Sequence, residues 1–198
     1  MPFDDAWEWI RSNYPAIASH LVSFRNQAMK RTDMGDYWWE LRACDYYDEF
    51  ANHKIMLPDI AIRAEVTYDT KKHYCVNTAY IIPTEEKWLV GLLNSKAVLY
   101  YYATQTSTIR GGYFRFIRQY LEKIPIPNKV SGAIKSKIEN LVENMLALHA
   151  KLKETGIDSD RNTMQSKIEA VNTQIDKLVY ELYGLTEDEI KIVEGNGK

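Results

Sequence analysis

A chain of 198 residues with 45% apolar content is long enough to bury one packed core with an appendage, or two small cores. A formal charge of −2, from 25 basic and 27 acidic side chains, excludes binding to polyanions by bulk charge alone, although a basic face can still exist locally. Two cysteines, Cys44 and Cys75, with no signal peptide, point to a reducing cytoplasm and no disulfide, and the apolar runs are too short and interrupted to enter a membrane.

The first segment reads as a helix, with Asp4 or Asp5 as its cap and Phe3, Trp7 and Ile10 apolar. It breaks at Tyr14-Pro15. Pro15 suits the first turn of a second helix, in which Ile17, Leu21, Phe24 and Ala28 recur at helical spacing, and a turn at Asp33-Met34-Gly35-Asp36 ends it. Trp38 and Trp39 are adjacent and cannot face the same way, so at least one belongs in a core. Residues 54–57 form a short apolar run before Pro58, and Ala61 to Thr67 alternate as a strand does. Tyr68 to Lys72 reads as a turn, after which Tyr74 to Ile82 returns as one or two strands. Pro83-Thr84-Glu85-Glu86 opens a helix through Trp88, Leu89, Leu92 and Leu93, and a further helix runs through Val98 to Thr104. Gly111-Gly112 interrupts it before a helical stretch with Phe114, Ile117, Tyr120 and Leu121. Pro125 and Pro127 close this part.

Beyond Pro127 aromatic residues nearly vanish and a regular repeat begins. Ile134, Ile138, Leu141, Met145, Leu148 and Leu152 step alternately by four and three, as do Met164, Ile168, Val171, Ile175, Leu178, Leu182 and Leu185. That is the apolar seam of a coiled coil written twice. The polar link 154–160 predicts an antiparallel hairpin; Gly184 ends the second helix, and Thr186 with Glu189 forms a capping box for a last short one. The predicted fold is therefore α+β: a mixed β-sheet domain flanked by helices over residues 1–128, then a helical, coiled-coil-like hairpin over 129–198.

Candidate chemistry is sparse. Asp59, Glu65 and Thr67 fall near the spacing of an Asp…Glu-x-Lys nuclease, but Thr67 stands where the lysine is needed, and charged residues at strand ends explain them better. His73 and Cys75 lack the second ligand pair that tetrahedral zinc needs. No Gly-x-Ser-x-Gly elbow accompanies the histidines. No catalytic and no metal site is expected.

What remains is a surface suited to nucleic acid. In the strand reading, Arg63, Glu65 and Thr67 share one face, which is either a solvated Arg–Glu pair or a row able to meet base edges in a major groove. Tyr68, Lys71, Lys72 and Tyr74 sit on the adjoining turn, which is either a solvated loop or part of that surface. Thr108-Ile109-Arg110-Gly111-Gly112-Tyr113-Phe114-Arg115 combines paired glycines, which let backbone approach a phosphate, with flanking Arg and Tyr. Arg110, Arg115, Arg118 and Lys123 fall in a segment whose only acid is Glu122, although residues 1–128 as a whole carry fifteen basic and fifteen acidic side chains. The plain reading of the glycine pair is a tight turn.

Taken in order, WIRSNYPAIASHL, GDYWWELRACDYYDEF, KIMLPDIAIRAEVTYDT, NTAYIIP, LNSKAVLYYY, IRGGYFRF, YLEKIPIP and IDKLVYELYGLTEDEIKIVEG resemble the TaqI-like C-terminal target-recognition domain of type IIG restriction–modification adenine-specific DNA methyltransferases. The resemblance covers nearly the whole chain. It implies a module that binds double-stranded DNA and directs a methyltransferase catalytic domain, in the same or a partner chain, to its site. The Gly-Gly-aromatic segment is a recurring mark of such domains, and Asn94-Ser95-Lys96 matches the family's helix stop and restart. Neither the glycine-rich S-adenosylmethionine loop nor the Asn/Asp-Pro-Pro-aromatic loop of an adenine methyltransferase is in this sequence, so that cofactor is expected for the parent enzyme and none for this piece. Family-like sequence starts directly after Met1-Pro2-Phe3, which implies a part of a larger protein. The competing expectations are a protein–protein interaction module docking through the hairpin and an enzyme fragment that contributes part of a catalytic pocket.

Overall fold

The computed structural model describes residues 2–154 and 158–195, which fall into two compact units, Met1–Tyr47 and Asp48–Lys198. The compositional division at 128/129 runs through the second unit. The first unit holds α1 (Phe3–Asn13), α2 (Pro15–Val22) and α3 (Arg25–Ala28). Neither Asp4 nor Asp5 caps α1: extended Pro2 takes the cap position, and both carboxylates lie in the first turn, where they oppose the positive end of the helix dipole. The single second helix expected through Ala28 is two, because Ser23 Oγ donates to the His20 carbonyl and the chain tightens at Phe24. Trp38 is buried and packs its ring 5.0 Å from that of Trp7, whereas Trp39 stacks on Tyr37 at 4.7 Å.

In the second unit a 3₁₀ turn (Tyr47–Ala51, its first residue belonging to the first unit) leads into β1 (Lys54–Pro58). β1 is the central strand of a sheet ordered β3-β1-β4, with β3 at Thr67–Asp69 and β4 at Ala79–Pro83. A second ladder joins β2 (Ile60–Ala61) to β5 (Phe114–Arg115). Every strand pairing among the described residues is antiparallel. The α4 (Trp88–Asn94), α5 (Lys96–Gln105) and α6 (Arg118–Leu121) helices fill the intervals, followed by α7 (Gly132–Glu154), α8 (Asp158–Tyr183) and α9 (Glu187–Val193). The α+β class is as expected.

Four local expectations are corrected. Ala61 to Thr67 is not a strand: β2 ends at Ala61, and residues 62–66 belong to no ladder, with Glu65 in the left-handed region at φ 45°. Burial nonetheless alternates there, Ala64, Val66 and Tyr68 inward against exposed Glu65 and Thr67, so the two-residue period reports burial and not pairing. Tyr68 and Asp69 lie in β3 opposite Ile55 and Lys54, and the turn begins only after them. Residues 74–78 stay outside the sheet, and Phe114 opens β5 instead of a helix, paired with Ala61.

One core unites the sheet with the helices: Ile55, Leu57 and Tyr68 join Trp88, Leu92 and Tyr102, and continue into Ile138, Val142, Ile175 and Val179. Most seam residues of both long helices belong to it or pack against it. Val142 and Val179, just off the seam, are also fully enclosed, because α7 and α8 pack on α4 as well as on each other. Gly91 permits that junction, since a Cβ there would lie 2.6 Å from Ile138 Cγ2 and 3.3 Å from Val142 and Ile175. Leu185 falls past α8, which stops at Gly184 (φ 66°), and the Thr186–Glu189 capping box is formed. The 155–157 part of the expected hairpin link lies outside the described residues.

Candidate functional site

The β2–β5 ladder places two candidate segments side by side. Ala61 pairs with Phe114, so the chain leaving β2 at Ile62 and the chain entering β5 from Tyr113 emerge at the same end. Arg63 and Glu65 on the first segment are exposed, their side chains 3.8 Å apart, and Thr67 follows on the exposed edge of β3. On the second, Ile109 and Tyr113 form an antiparallel bridge closed by the Ile109 N–H donating to the Tyr113 carbonyl at 2.7 Å. Arg110, Gly111 and Gly112 form its tip. Both glycines have positive φ, 87° and 80°, and the Tyr113 ring lies against Gly111, where a Cβ would meet it at 3.3 Å. Arg110 is exposed and makes no hydrogen bond or ion pair among the described residues.

Arg115 is placed differently. Its guanidinium grips Asp59 with two hydrogen bonds, Nε to Oδ1 at 3.2 Å and an Nη to Oδ2 at 2.8 Å, and the carboxylate raises the pKa of the guanidinium further. Asp59 also receives the Phe116 N–H on its carbonyl, which ties the start of β2 to the end of β5. The Arg115 carbonyl accepts the buried Tyr102 hydroxyl at 2.6 Å, a phenol pushed up to about 12 by burial. Arg115 is thus a strut of the ladder, and Asp59 is committed to it. Arg118 is largely exposed and pairs with Glu122 at 3.1 Å.

Lys71, Lys72 and Tyr74 leave β3 at its other end, so the strand separates them from the Arg63 segment. Lys71 and Lys72 are exposed, with no side-chain partner among the described residues. Tyr74 is exposed and stacks on buried Phe50 at 4.7 Å. Tyr68, placed on the surface turn by its sequence context, is buried: its hydroxyl donates to the Thr84 carbonyl at 3.0 Å, and burial raises its pKa.

Two supporting contacts escaped sequence reading, which took Asn94 only as part of a helix stop. Asn94 accepts the Val66 N–H through Oδ1 and donates to the Val66 carbonyl through Nδ2, both at 2.8 Å, fixing the unpaired 62–66 segment to the end of α4. Lys54 is buried opposite Asp69 with Nζ 2.5 Å from Oδ2. Burial opposes the Asp69 charge, but hydrogen bonds from Lys54, the His73 ring and the Lys71 and His73 N–H groups outweigh it and hold the carboxyl well below the usual range. A strand-edge Asp four residues before a His was the available signal.

A cavity of about 340 Å³ lies elsewhere, lined by Tyr100, Tyr101, Tyr183 and Ile192 among others, and by none of the candidate residues. Among the described residues no cluster of three or more His, Cys, Asp or Glu is arranged to hold a metal, and no helix is long and apolar enough to cross a membrane. Cys44 and Cys75 are free thiols.

The family described as the TaqI-like C-terminal specificity domain matches residues 10–126. A type II methyltransferase of Xanthomonas vasicola, M.XhoI, is 28% identical over 97% of this chain, and one of Pseudomonas aeruginosa, M.PaeR7I, is 28% identical over 75%. The chain spans 32% and 22% of their lengths. Among solved structures, the type IIL restriction-modification enzyme MmeI in complex with DNA superposes with a TM-score of 0.54 at 18% identity, over 72% of this chain and 20% of that one, which is a likeness of fold.

Proposed function

The chain belongs to the TaqI-like C-terminal specificity domain family, and we propose from that premise that it is the sequence-reading module of a restriction–modification DNA methyltransferase, docking on double-stranded DNA and directing a catalytic domain to its site. The observation that carries this is the convergence of two exposed segments at one end of the β2–β5 ladder, one with Arg63, Glu65 and Thr67, the other with Arg110, Gly111, Gly112 and Tyr113. Arg, Glu and Thr side chains meet guanine, cytosine and either base edge in a major groove, and the glycine tip lets backbone amides approach a phosphate. Lys71, Lys72, Tyr74 and Arg118 extend the surface outward, while Tyr68 and Arg115 hold it in shape from behind. A near-neutral module fits this role, because phosphate contacts position a complex while base contacts specify it, and a catalytic domain supplies further positive charge. Methyl transfer from S-adenosylmethionine to adenine N6 belongs, in this reading, to that catalytic domain.

Recruitment of a protein through the long helices is not favoured, since their seams are enclosed in the chain's own core. The test is selection of random duplex DNA by the purified chain, with sequencing of what binds at low and moderate salt. Enrichment of a short motif, with affinity falling as salt rises, is the expected result. Absence of enrichment at every salt concentration overturns autonomous reading by this chain.

A further inference from the structure

The buried Lys54–Asp69 pair does not end in the core. Asp69 is 6% exposed, yet its Oδ1 accepts the ring of His73 at 2.7 Å and its Oδ2 accepts the His73 N–H at 2.8 Å. Oδ1 also accepts the Lys71 N–H at 3.0 Å. One carboxylate, itself fixed by Lys54 directly opposite on β1, therefore sets both the backbone of the 70–73 loop and the orientation of the imidazole. A carboxylate can only accept, so Nδ1 carries a proton and Nε2 is the nitrogen left for a ligand. The His73 side chain is 63% exposed, so that nitrogen is open to solvent chemistry.

We propose that His73 is a phosphate-contacting residue of the recognition surface, its Nε2 bonding a backbone phosphate of duplex DNA while Asp69 holds Nδ1. This rests on the DNA-reading function proposed above. The neighbouring side chains favour a phosphate over a base edge. Lys54 balances the Asp69 charge, which leaves Lys71 and Lys72, on the same loop, as cations without an acidic partner among the described residues. The loop also leaves β3 at the end away from the Arg63 and Arg110 segments, a flanking place that suits a backbone contact. Other charged or titratable groups on adjacent elements include Asp48 and Glu49 on the 3₁₀ turn that carries Phe50, Tyr68 on β3, and Tyr74 and Cys75 on the same loop.

The chemistry carries a linkage. A neutral imidazole with Nδ1 protonated offers only a lone pair at Nε2, which a phosphate oxygen repels; one added proton makes Nε2 a charged donor. Phosphate contact by His73 therefore needs both ring nitrogens protonated, which makes the pH dependence of DNA binding its readout.

The measurement is fluorescence anisotropy of the 198-residue chain with labelled duplexes, one carrying the selected motif and one of random sequence, from pH 8 to pH 5.5 at fixed ionic strength. The wild-type chain is expected to tighten by about three- to tenfold towards pH 5.5 on both duplexes. His73→Gln, an exposed change, should flatten that response while leaving the selected motif intact. A Lys71→Gln, Lys72→Gln double variant should weaken binding at every pH yet keep the response. A His73→Gln chain that retains the full pH response overturns the proposal, and so does one whose selected motif changes, which would make His73 a base contact. If the wild-type chain binds neither duplex at any pH, the DNA-reading function falls first and this contact with it.

Discussion

Asn94 closes both backbone groups of Val66, accepting its N–H and donating to its carbonyl at 2.8 Å each, across 28 residues of sequence. The amide side chain stands where a neighbouring strand would stand, and so completes the hydrogen bonding of a segment that has left the sheet. Asn94→Ala leaves the partly buried N–H and carbonyl of Val66 without their side-chain partner. A loss of about 1–3 kcal/mol in urea unfolding is expected, together with faster hydrogen exchange at the Val66 amide. Unchanged Val66 exchange would refute the clamp.

Arg110 and Arg115 are expected to separate cleanly. Arg110→Ala touches no partner among the described residues, so stability should stay within about 0.5 kcal/mol while duplex binding weakens or its motif blurs. Arg115→Ala removes both bonds to Asp59 and should lower the urea midpoint. The two variants, compared by unfolding and by duplex selection, fail the scheme if Arg115→Ala unfolds at the wild-type midpoint.

Gly91→Ala should destabilise by about 1–3 kcal/mol, because the added methyl meets Ile138 Cγ2 at 2.6 Å in a closed three-helix junction. Helix propensity alone predicts the opposite sign, a gain of about 1 kcal/mol. A thermal melt decides between them.

Asp69 gives an acid-side signature. Its folded pKa lies below its unfolded one, so the stability it contributes is present above the ordinary carboxylate range and is lost as pH falls from about 4 towards the folded value. Asp69→Ala should cost about 3–5 kcal/mol at pH 7 by leaving Lys54 buried without its counter-charge. That penalty should shrink below pH 4, which urea titrations at pH 7 and pH 3 would show.

Asp176 predicts the reverse slope. Burial raises its carboxyl, despite the Lys96 N–H that it accepts at 2.9 Å, so its charge opposes folding above the ordinary carboxylate pKa and ceases to do so below it. Asp176→Asn keeps an acceptor for Lys96 and should match or exceed the wild-type urea midpoint at pH 7.5. The difference should close towards pH 4.

Much of this architecture is written in local chemistry. Pro15, Gly184 and the Thr186–Glu189 box mark their helix ends, and the heptads name the residues that α7 and α8 bury. The 61–67 segment misled because alternation reports which side chains are inward, and a distant Asn94 can satisfy the backbone as a strand would. Tyr68 looked like a surface aromatic because nothing beside it in sequence reveals Thr84, its hydrogen-bond partner. Arg115 and Asp59 are 56 residues apart, so a basic segment could not disclose that one of its cations was already taken.

The unpaired run from Ile62 to Glu65 has a consequence for how such a protein changes over generations. Its exposed side chains sit on no ladder: β3 and β4 take their register from β1, β2 takes its register from β5, and Asn94 holds the backbone at Val66. Substitutions at Ile62 or Arg63 can therefore accumulate without shifting a strand, and a lineage can rewrite these positions while inheriting the frame beneath them intact, whereas the positive φ of Glu65 restricts what can stand there.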